Sequence, residues 1–253
     1  MKKFIAQSEA SKKILNIAQM SSSLPVNVLI IGEVGVGKKL LAQNILPDAT
    51  YFEAKVLEET FINDKFNIDE YKELIILNID NVLNKKEFLT YLNGLKIVAT
   101  SNRNLTDVES QFAIKIDIPP LSKRVEDLEE LKKIYLHEAN NIYNTNIDIN
   151  DVELDLSLNG NTLRKSIYKT VSMRALSDED MMESLEYFIS KKFDEDKDYR
   201  DLLKYFEIAL LNAAKIKYKS QLKMATKLNL NRITLRKKLE QYFKETSSTT
   251  QGI

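Results

Sequence analysis

The chain has 253 residues, 37 basic and 37 acidic side chains, 43% hydrophobic residues and no cysteine. That length holds one large or two modest domains with a genuine core. The missing cysteines exclude disulfides, thiolate metal sites and cysteine catalysis and fit a cytoplasmic protein, and no apolar run is long enough to engage a membrane by spanning it.

Residues 1–20 read as an amphipathic helix rather than a cleavable leader, with the helix proper at Ser8–Ser22. Val26–Ile31 reads as a buried strand. It runs into Gly32-Glu33-Val34-Gly35-Val36-Gly37-Lys38-Lys39, which holds three of the chain's six glycines. Lys38–Ile45 follows as a helix. Strand, glycine-rich turn and helix are the context of a phosphate-binding loop: glycines let backbone N–H groups converge on phosphate oxygens, Lys38 adds a point charge, and the helix N-terminus favours an anion. Lys39 stands where most such loops place a Ser or Thr that holds magnesium.

Tyr51–Ala54 reads as a short strand, Leu74–Ile79 as a buried one, Lys85–Leu95 as a helix, and Lys96–Thr100 and Phe112–Ile118 as strands, the last ended by Pro119-Pro120. This order predicts an α/β parallel sheet flanked by helices. Asp80, at the end of a buried strand, is the expected metal ligand through water; Asn81 follows it where a proton-accepting glutamate is usual. Asn102, at the end of the next strand, is placed to sense the γ-phosphate. The one histidine, His137, lies in a predicted helix from Leu128 to Tyr143 and receives no role. Over 147–158 apolar and polar residues alternate, so a strand or hairpin competes with helix.

From Leu163 the pattern is helical to Tyr242, interrupted near 191–198. Residues 178–198 carry nine acidic side chains against three lysines, whereas 199–244 carry twelve basic against three acidic. An acidic connector before a basic module is the electrostatic layout of a tethered nucleic-acid-binding domain. Ser220–Leu228 reads as a short helix, Asn229 as a left-handed turn residue, and the next helix starts near Asn231. Its stripe Leu235, Leu239 and Tyr242 faces a core. Asn231, Arg232, Thr234, Arg236, Lys237 and Lys238 are left to meet duplex DNA, Lys237 and Lys238 as phosphate contacts. The preceding helix, Leu202–Ile216, carries Leu203, Phe206, Leu210 and Ala213/Ala214 on one face.

The run Ile30–Lys38 resembles the phosphate loop of NtrC-like (sigma-54-dependent) bacterial enhancer-binding proteins, typically GESGTGKE, a family that also lacks the Ser or Thr. Ile97–Leu105 is similar to its sensor strand, Ile118–Leu128 to its PPLRxRxxDI signature, and Gly160-Asn161-Thr162-Leu163-Arg164 to its GNVRE element. Residues 229–242 resemble the recognition helix of the Fis-type helix-turn-helix, in which a helix such as 202–216 builds a dimer interface. The resemblance implies an AAA+ core that binds ATP with Mg²⁺ through residues 32–39, Asp80 and Asn102. It divides the chain into a core (1–135), a lid (136–190), an acidic linker (191–198), a Fis-type domain (199–245) and a disordered tail (246–253).

The chain departs from the family in three places. Only 41 residues separate Lys38 from Asp80, and the GAFTGA loop that contacts the sigma factor is absent. Leu105–Ile118 contains no arginine to reach a neighbour's nucleotide. The expectation is a sequence-specific DNA-binding transcription regulator that pairs as a homodimer, with a degenerate ATP-binding module whose hydrolysis is weak or absent and without sigma-factor contact. The alternative is an active ATPase, either an atypical sigma-54-dependent activator or a DNA-associated remodelling enzyme.

Overall fold

The computed structural model describes residues 3–63, 66–193, 195 and 197–243. The expected tail, 246–253, lies outside them. The chain forms two compact units that divide between Ala175 and Leu176.

In the first unit, α1 (Glu9–Ser22) starts at Ser8, whose hydroxyl accepts the N–H of Ser11 at 3.2 Å. It is followed by β1 (Val28–Ile31), α2 (Lys38–Ile45), β2 (Thr50–Glu53), α3 (Ala54–Ile62), β3 (Glu73–Leu77), α4 (Lys85–Thr90), β4 (Lys96–Ser101) and β5 (Ile114–Asp117). The five strands are parallel in the order β2-β3-β4-β1-β5. Successive residues of a strand point to opposite faces. Leu29, Ile31, Leu74, Ile76, Ile97 and Ala99 therefore pack on one side of the sheet, and Val28, Ile30, Ile75, Leu77 and Val98 on the other. Burial on both faces explains why these strands read as continuous apolar runs.

Several elements are shorter than the sequence suggests. The helix expected over Lys85–Leu95 stops at Thr90, and the chain turns through Gly94 at φ 94° into β4. The strand expected from Val26 begins at Val28, because the Asn27 side chain accepts the N–H of Ile97 and its carbonyl those of Ala113 and Ile114. The last strand begins at Ile114 rather than Phe112, whose ring packs in the core.

Two helices complete the unit, α5 (Val125–Tyr143) and α6 (Gly160–Ala175). Between them, residues 147–158 form neither strand nor hairpin, only short turns, one at Ile149–Asp151 and another starting at Ser157. The alternation has another cause: Ile147, Ile149, Val152, Leu154 and Leu156 pack into the cluster of Leu128, Ala139, Leu163 and Ile167.

The second unit holds α7 (Asp178–Phe193), α8 (Tyr199–Tyr218), α9 (Gln221–Lys227) and α10 (Arg232–Phe243). The stretch expected as lid, 136–190, is thus split, since α7 falls in this unit and runs into the expected linker. Leu211 and Ala214 of α8, Met224 and Ala225 of α9 and Leu235 of α10 make its core, joined by Leu239 and Tyr242. Asn229 takes the left-handed conformation, φ 51°, between α9 and α10. On α8, Leu203, Phe206 and Leu210 are exposed while Ala214 is buried, so the expected apolar face divides in two. Among the described residues no helix is long and apolar enough to cross a membrane.

Candidate nucleotide site and the cationic helix

The glycine loop joins β1 to α2 at the C-terminal edge of the sheet. Gly35 sits at φ +81°, and a Cβ there would lie 2.1 Å from the carbonyl oxygen of Leu158, so only glycine fits. The first turn of a helix leaves its N–H groups without intrahelical partners. Among the described residues no protein acceptor takes the N–H of Gly35, Val36, Gly37, Lys38 or Lys39. Five such donors at a helix N-terminus suit an anion rich in oxygen. Lys38 is largely buried, and its Nζ donates to the carbonyls of Gly32 (2.7 Å) and Glu33 (2.8 Å) and to Oδ1 of Asn102 (2.9 Å). Burial pulls its pKa below the ordinary lysine value, opposed by the charges of Asp80 and Glu33. Lys39 turns away from any hydroxyl-like role: its ammonium lies 3.4 Å above the ring of Tyr51.

The loop is braced from two sides by residues to which the sequence reading gave no role. Arg124, only 3% exposed, donates to the carbonyl of Val36 at 2.9 Å and to that of Pro119 at 3.1 Å. It pairs with the fully buried Asp127 at 3.3 Å. That carboxylate also accepts the N–H groups of Gln7 and Ser8 and the hydroxyls of Ser8 and Ser11. Burial pushes Asp127 up, but the hydrogen bonds from Ser11, Ser8 and Gln7 outweigh it and hold its pKa below the usual carboxylate value. On the other side, Asn159 donates to Oε2 of Glu33 and to the carbonyl of Val34, and accepts the N–H of Leu121 at 2.6 Å. The Asn159-Gly160 pair after an irregular apolar stretch, and the charged residues inside Arg124–Asp127, were the available sequence signals.

Asp80 and Asn102 are brought together. Asn102 donates its backbone N–H and its Nδ2 to the Asp80 carboxylate, both at 3.2 Å. Asn81 lines the cavity beside them, and Asp80 does not. Among the described residues no group of three or more His, Cys, Asp or Glu is placed to hold a metal. His137 is exposed and meets only Asn141.

Two cavities share the loop. One, about 290 Å³, is mostly apolar and is lined by Phe4, Ile5, Leu40, Leu131, Ile134 and Tyr135 beside Gly35–Gly37 and Arg124. The other, about 480 Å³, includes the charged and amide side chains Lys38, Lys39, Glu53, Asn78, Asn81 and Asn102. Gly35, Gly37, Leu40, Tyr135 and Gly160 border both. A flat apolar ring and an attached phosphate chain are the ligand parts that such a pair accommodates. Arg164, from the expected GNVRE element, reaches neither cavity lining. Its guanidinium sits 4.8 Å from the Tyr168 ring centroid and 5.9 Å from that of Tyr135, with Glu138 3.6 Å away.

In the second unit, Asn231 caps α10, its Oδ1 accepting the N–H of Ile233 at 2.9 Å. Arg232, Ile233, Thr234, Arg236 and Lys237 are exposed. Arg236 pairs with Glu240 at 2.9 Å. Lys238 departs from the expected outward set: it is half-buried and bonded to Glu207 of α8, which also accepts the Tyr242 hydroxyl. Its place next to Leu239 turns it toward α8.

A family model described as the Sigma-54 interaction domain matches residues 4–74, from the segment before α1 through the glycine loop to the start of β3. A search of curated proteins finds no match. Among solved structures, NtrX from Brucella abortus in complex with ATP is similar, with TM-score 0.53 and 14% identity over 95% of this chain and 69% of that one. A second NtrX structure gives TM-score 0.56 and 15% identity over 94% and 68%. Domain III of the Thermotoga maritima replication initiation protein DnaA gives TM-score 0.50 and 20% identity over 74% and 96%. At these identities the likeness shows the fold: the first unit is built like these structures, and its residues 4–74 are similar to the Sigma-54 interaction domain.

Proposed function

We propose that this chain is a sequence-specific DNA-binding transcription regulator whose AAA+ core binds ATP. The observation that carries the nucleotide half is the row of unpartnered N–H groups over Gly35–Lys39, set between an apolar cavity for the base and a second one, holding Lys38, Lys39, Asn78 and Asn102, for the phosphates. The similar NtrX was crystallised in complex with ATP and with ADP, which supports the same ligand. Gly32–Lys39 would cradle the phosphates, Lys38 exchanging its carbonyl partners for phosphate oxygens, with Asn102 beside it. Mg²⁺ typically keeps several waters and takes one or two carboxylates plus phosphate oxygens. Asp80 through water is the protein's contribution here, since Lys39 offers no hydroxyl.

The DNA half rests on the cationic face of α10. Arg232 and Lys237 have no acidic partner among the described residues, and Lys223 and Lys227 of α9 are exposed nearby in sequence. In this reading α9 and α10 form a Fis-type helix-turn-helix, α10 enters the major groove, and Asn231, Arg232, Thr234, Arg236 and Lys237 meet bases and phosphates. The exposed Leu203, Phe206 and Leu210 on α8 would pair two copies. The experiment is a duplex-DNA titration of the full chain over a salt series, beside a thermal-shift titration with ATP. Salt-sensitive DNA binding and an ATP-dependent shift abolished by Lys38→Ala are expected. No binding of duplex at low salt removes the regulator reading, and no shift with ATP removes the nucleotide reading.

A further inference from the structure

The sheet order places four side chains in a row along its C-terminal edge. Glu53 ends β2, Asn78 follows β3, Asn102 follows β4 and Lys38 follows β1. They are joined hand to hand: Asn78 Nδ2 donates to Glu53 Oε2 at 2.9 Å, Asn102 Nδ2 to Asn78 Oδ1 at 3.4 Å, and Lys38 Nζ to Asn102 Oδ1 at 2.9 Å. All four line the 480 Å³ cavity, and Glu53 is the one carboxylate in that lining among the described residues. Glu53 also stands at the N-cap of α3, yet its side chain makes no capping hydrogen bond and turns to Asn78 instead. A carboxylate beside a phosphate chain repels it, so its presence needs a compensating role. Beside Glu53 in that lining, Asn78, Asn81 and Asn102 are amides that orient water without accepting its proton, and the Asp80 carboxylate, bonded to Asn102, does not reach the lining.

We propose that Glu53 is the general base for nucleoside triphosphate hydrolysis in this chain, the role that Asn81 cannot fill. The proposal rests on the nucleotide reading of the site and extends it from binding to turnover. Glu53 takes a proton from a water held with the help of Asn78 and Asn81 while that water's oxygen bonds to the γ-phosphorus. The bond from the γ-phosphorus to the β–γ bridging oxygen breaks, that oxygen keeps the electron pair, and the nucleoside diphosphate and inorganic phosphate are released. Glu53 returns its proton to solvent. Because Leu105–Ile118 supplies no arginine, turnover is slow: an arginine finger raises the rate by about 10³–10⁵ in enzymes that use one.

The test measures phosphate release and ATP binding separately on the full chain, for wild type, Glu53→Gln, Glu53→Asp and Lys38→Ala. The expected result is slow but saturable release in wild type. In Glu53→Gln, kcat falls about 100-fold or more, in line with loss of a general base. ATP binding in that variant is retained or tightened, because a negative charge has gone, and the unfolding midpoint is unchanged. Glu53→Asp recovers part of the rate. Unchanged release in Glu53→Gln, or ATP binding without any release in wild type, overturns the base assignment and leaves the nucleotide site standing. Absence of ATP binding in wild type overturns both.

Discussion

At the residue scale, the Arg124–Asp127 pair is buried on both sides. Removing one partner of a buried pair leaves an uncompensated charge, at a cost of about 3–5 kcal/mol. Asp127→Asn is expected to destabilise the first unit by that order in urea unfolding at neutral pH. The folded-state pKa of Asp127 lies below its unfolded value, so its contribution is present above roughly pH 4 and disappears as pH falls through the depressed value. A pH series should show the wild type losing stability on that acid limb more steeply than Asp127→Asn. Gly35→Ala is a second such position. The left-handed backbone costs an L-residue about 1–2 kcal/mol, and the Leu158 carbonyl 2.1 Å from the new Cβ adds a clash with backbone. Lower stability and loss of ATP binding together are the expected outcome, read by thermal unfolding with and without nucleotide.

At the element scale, α10 uses two adjacent lysines for different purposes. Lys238 and the Tyr242 hydroxyl bond to Glu207, holding that carboxyl below its ordinary pKa, while the Tyr242 hydroxyl is pushed up to about 12. Glu207→Ala leaves both donors without that acceptor and should cost roughly 1–3 kcal/mol, measured by denaturant unfolding of the second unit. The stabilisation from Glu207 is present above the ordinary glutamate pKa and fades as pH drops through the lowered one. Lys237→Ala should leave stability unchanged, weaken DNA binding on all sequences alike and reduce the salt slope by about 1. If Lys238→Ala instead lowers DNA affinity at unchanged stability, the division of labour between the two lysines is wrong.

At the scale of the whole molecule, two units with separate cores predict two separable stability responses. A ligand that binds only the folded first unit stabilises it by mass action, about 2.7 kcal/mol at a hundredfold excess over Kd. ATP should therefore raise the unfolding transition that reports residues 3–175 and leave the helical second unit where it was. Calorimetry with and without ATP checks this, and a single transition moving as one contradicts it. The exposed Leu203, Phe206 and Leu210 predict a dimer rather than a nucleotide-induced hexamer, to be read by light scattering at several protein concentrations. A site of two inverted half-sites about one helical turn apart would follow.

What the sequence determined by itself were the features carried by local pattern. Continuous apolar runs mark strands buried on both faces, three close glycines before Lys38-Lys39 mark a loop at a helix N-terminus, and a 3.6-residue stripe marks α10. Each is fixed by short-range sterics and burial, so a strand ending at Ile31, the helix Lys38–Ile45 and the turn at Asn229 could be placed from residues alone. Tertiary structure decided everything that depends on residues far apart in the chain. Alternation over 147–158 left strand, hairpin and helix in competition because period-two burial is the same signal whether the partner is another strand or two helices. Asp127 was one residue of the signature-like run Ile118–Leu128 with no role of its own until Ser8 and Ser11, more than a hundred positions away, closed around it. Lys238 looked like its neighbour Lys237 until α8 brought Glu207 beside it. Glu53 carried no sequence signal, because its place in the cavity comes from strand order, and only the assembled parallel sheet sets the ends of β2, β3, β4 and β1 side by side.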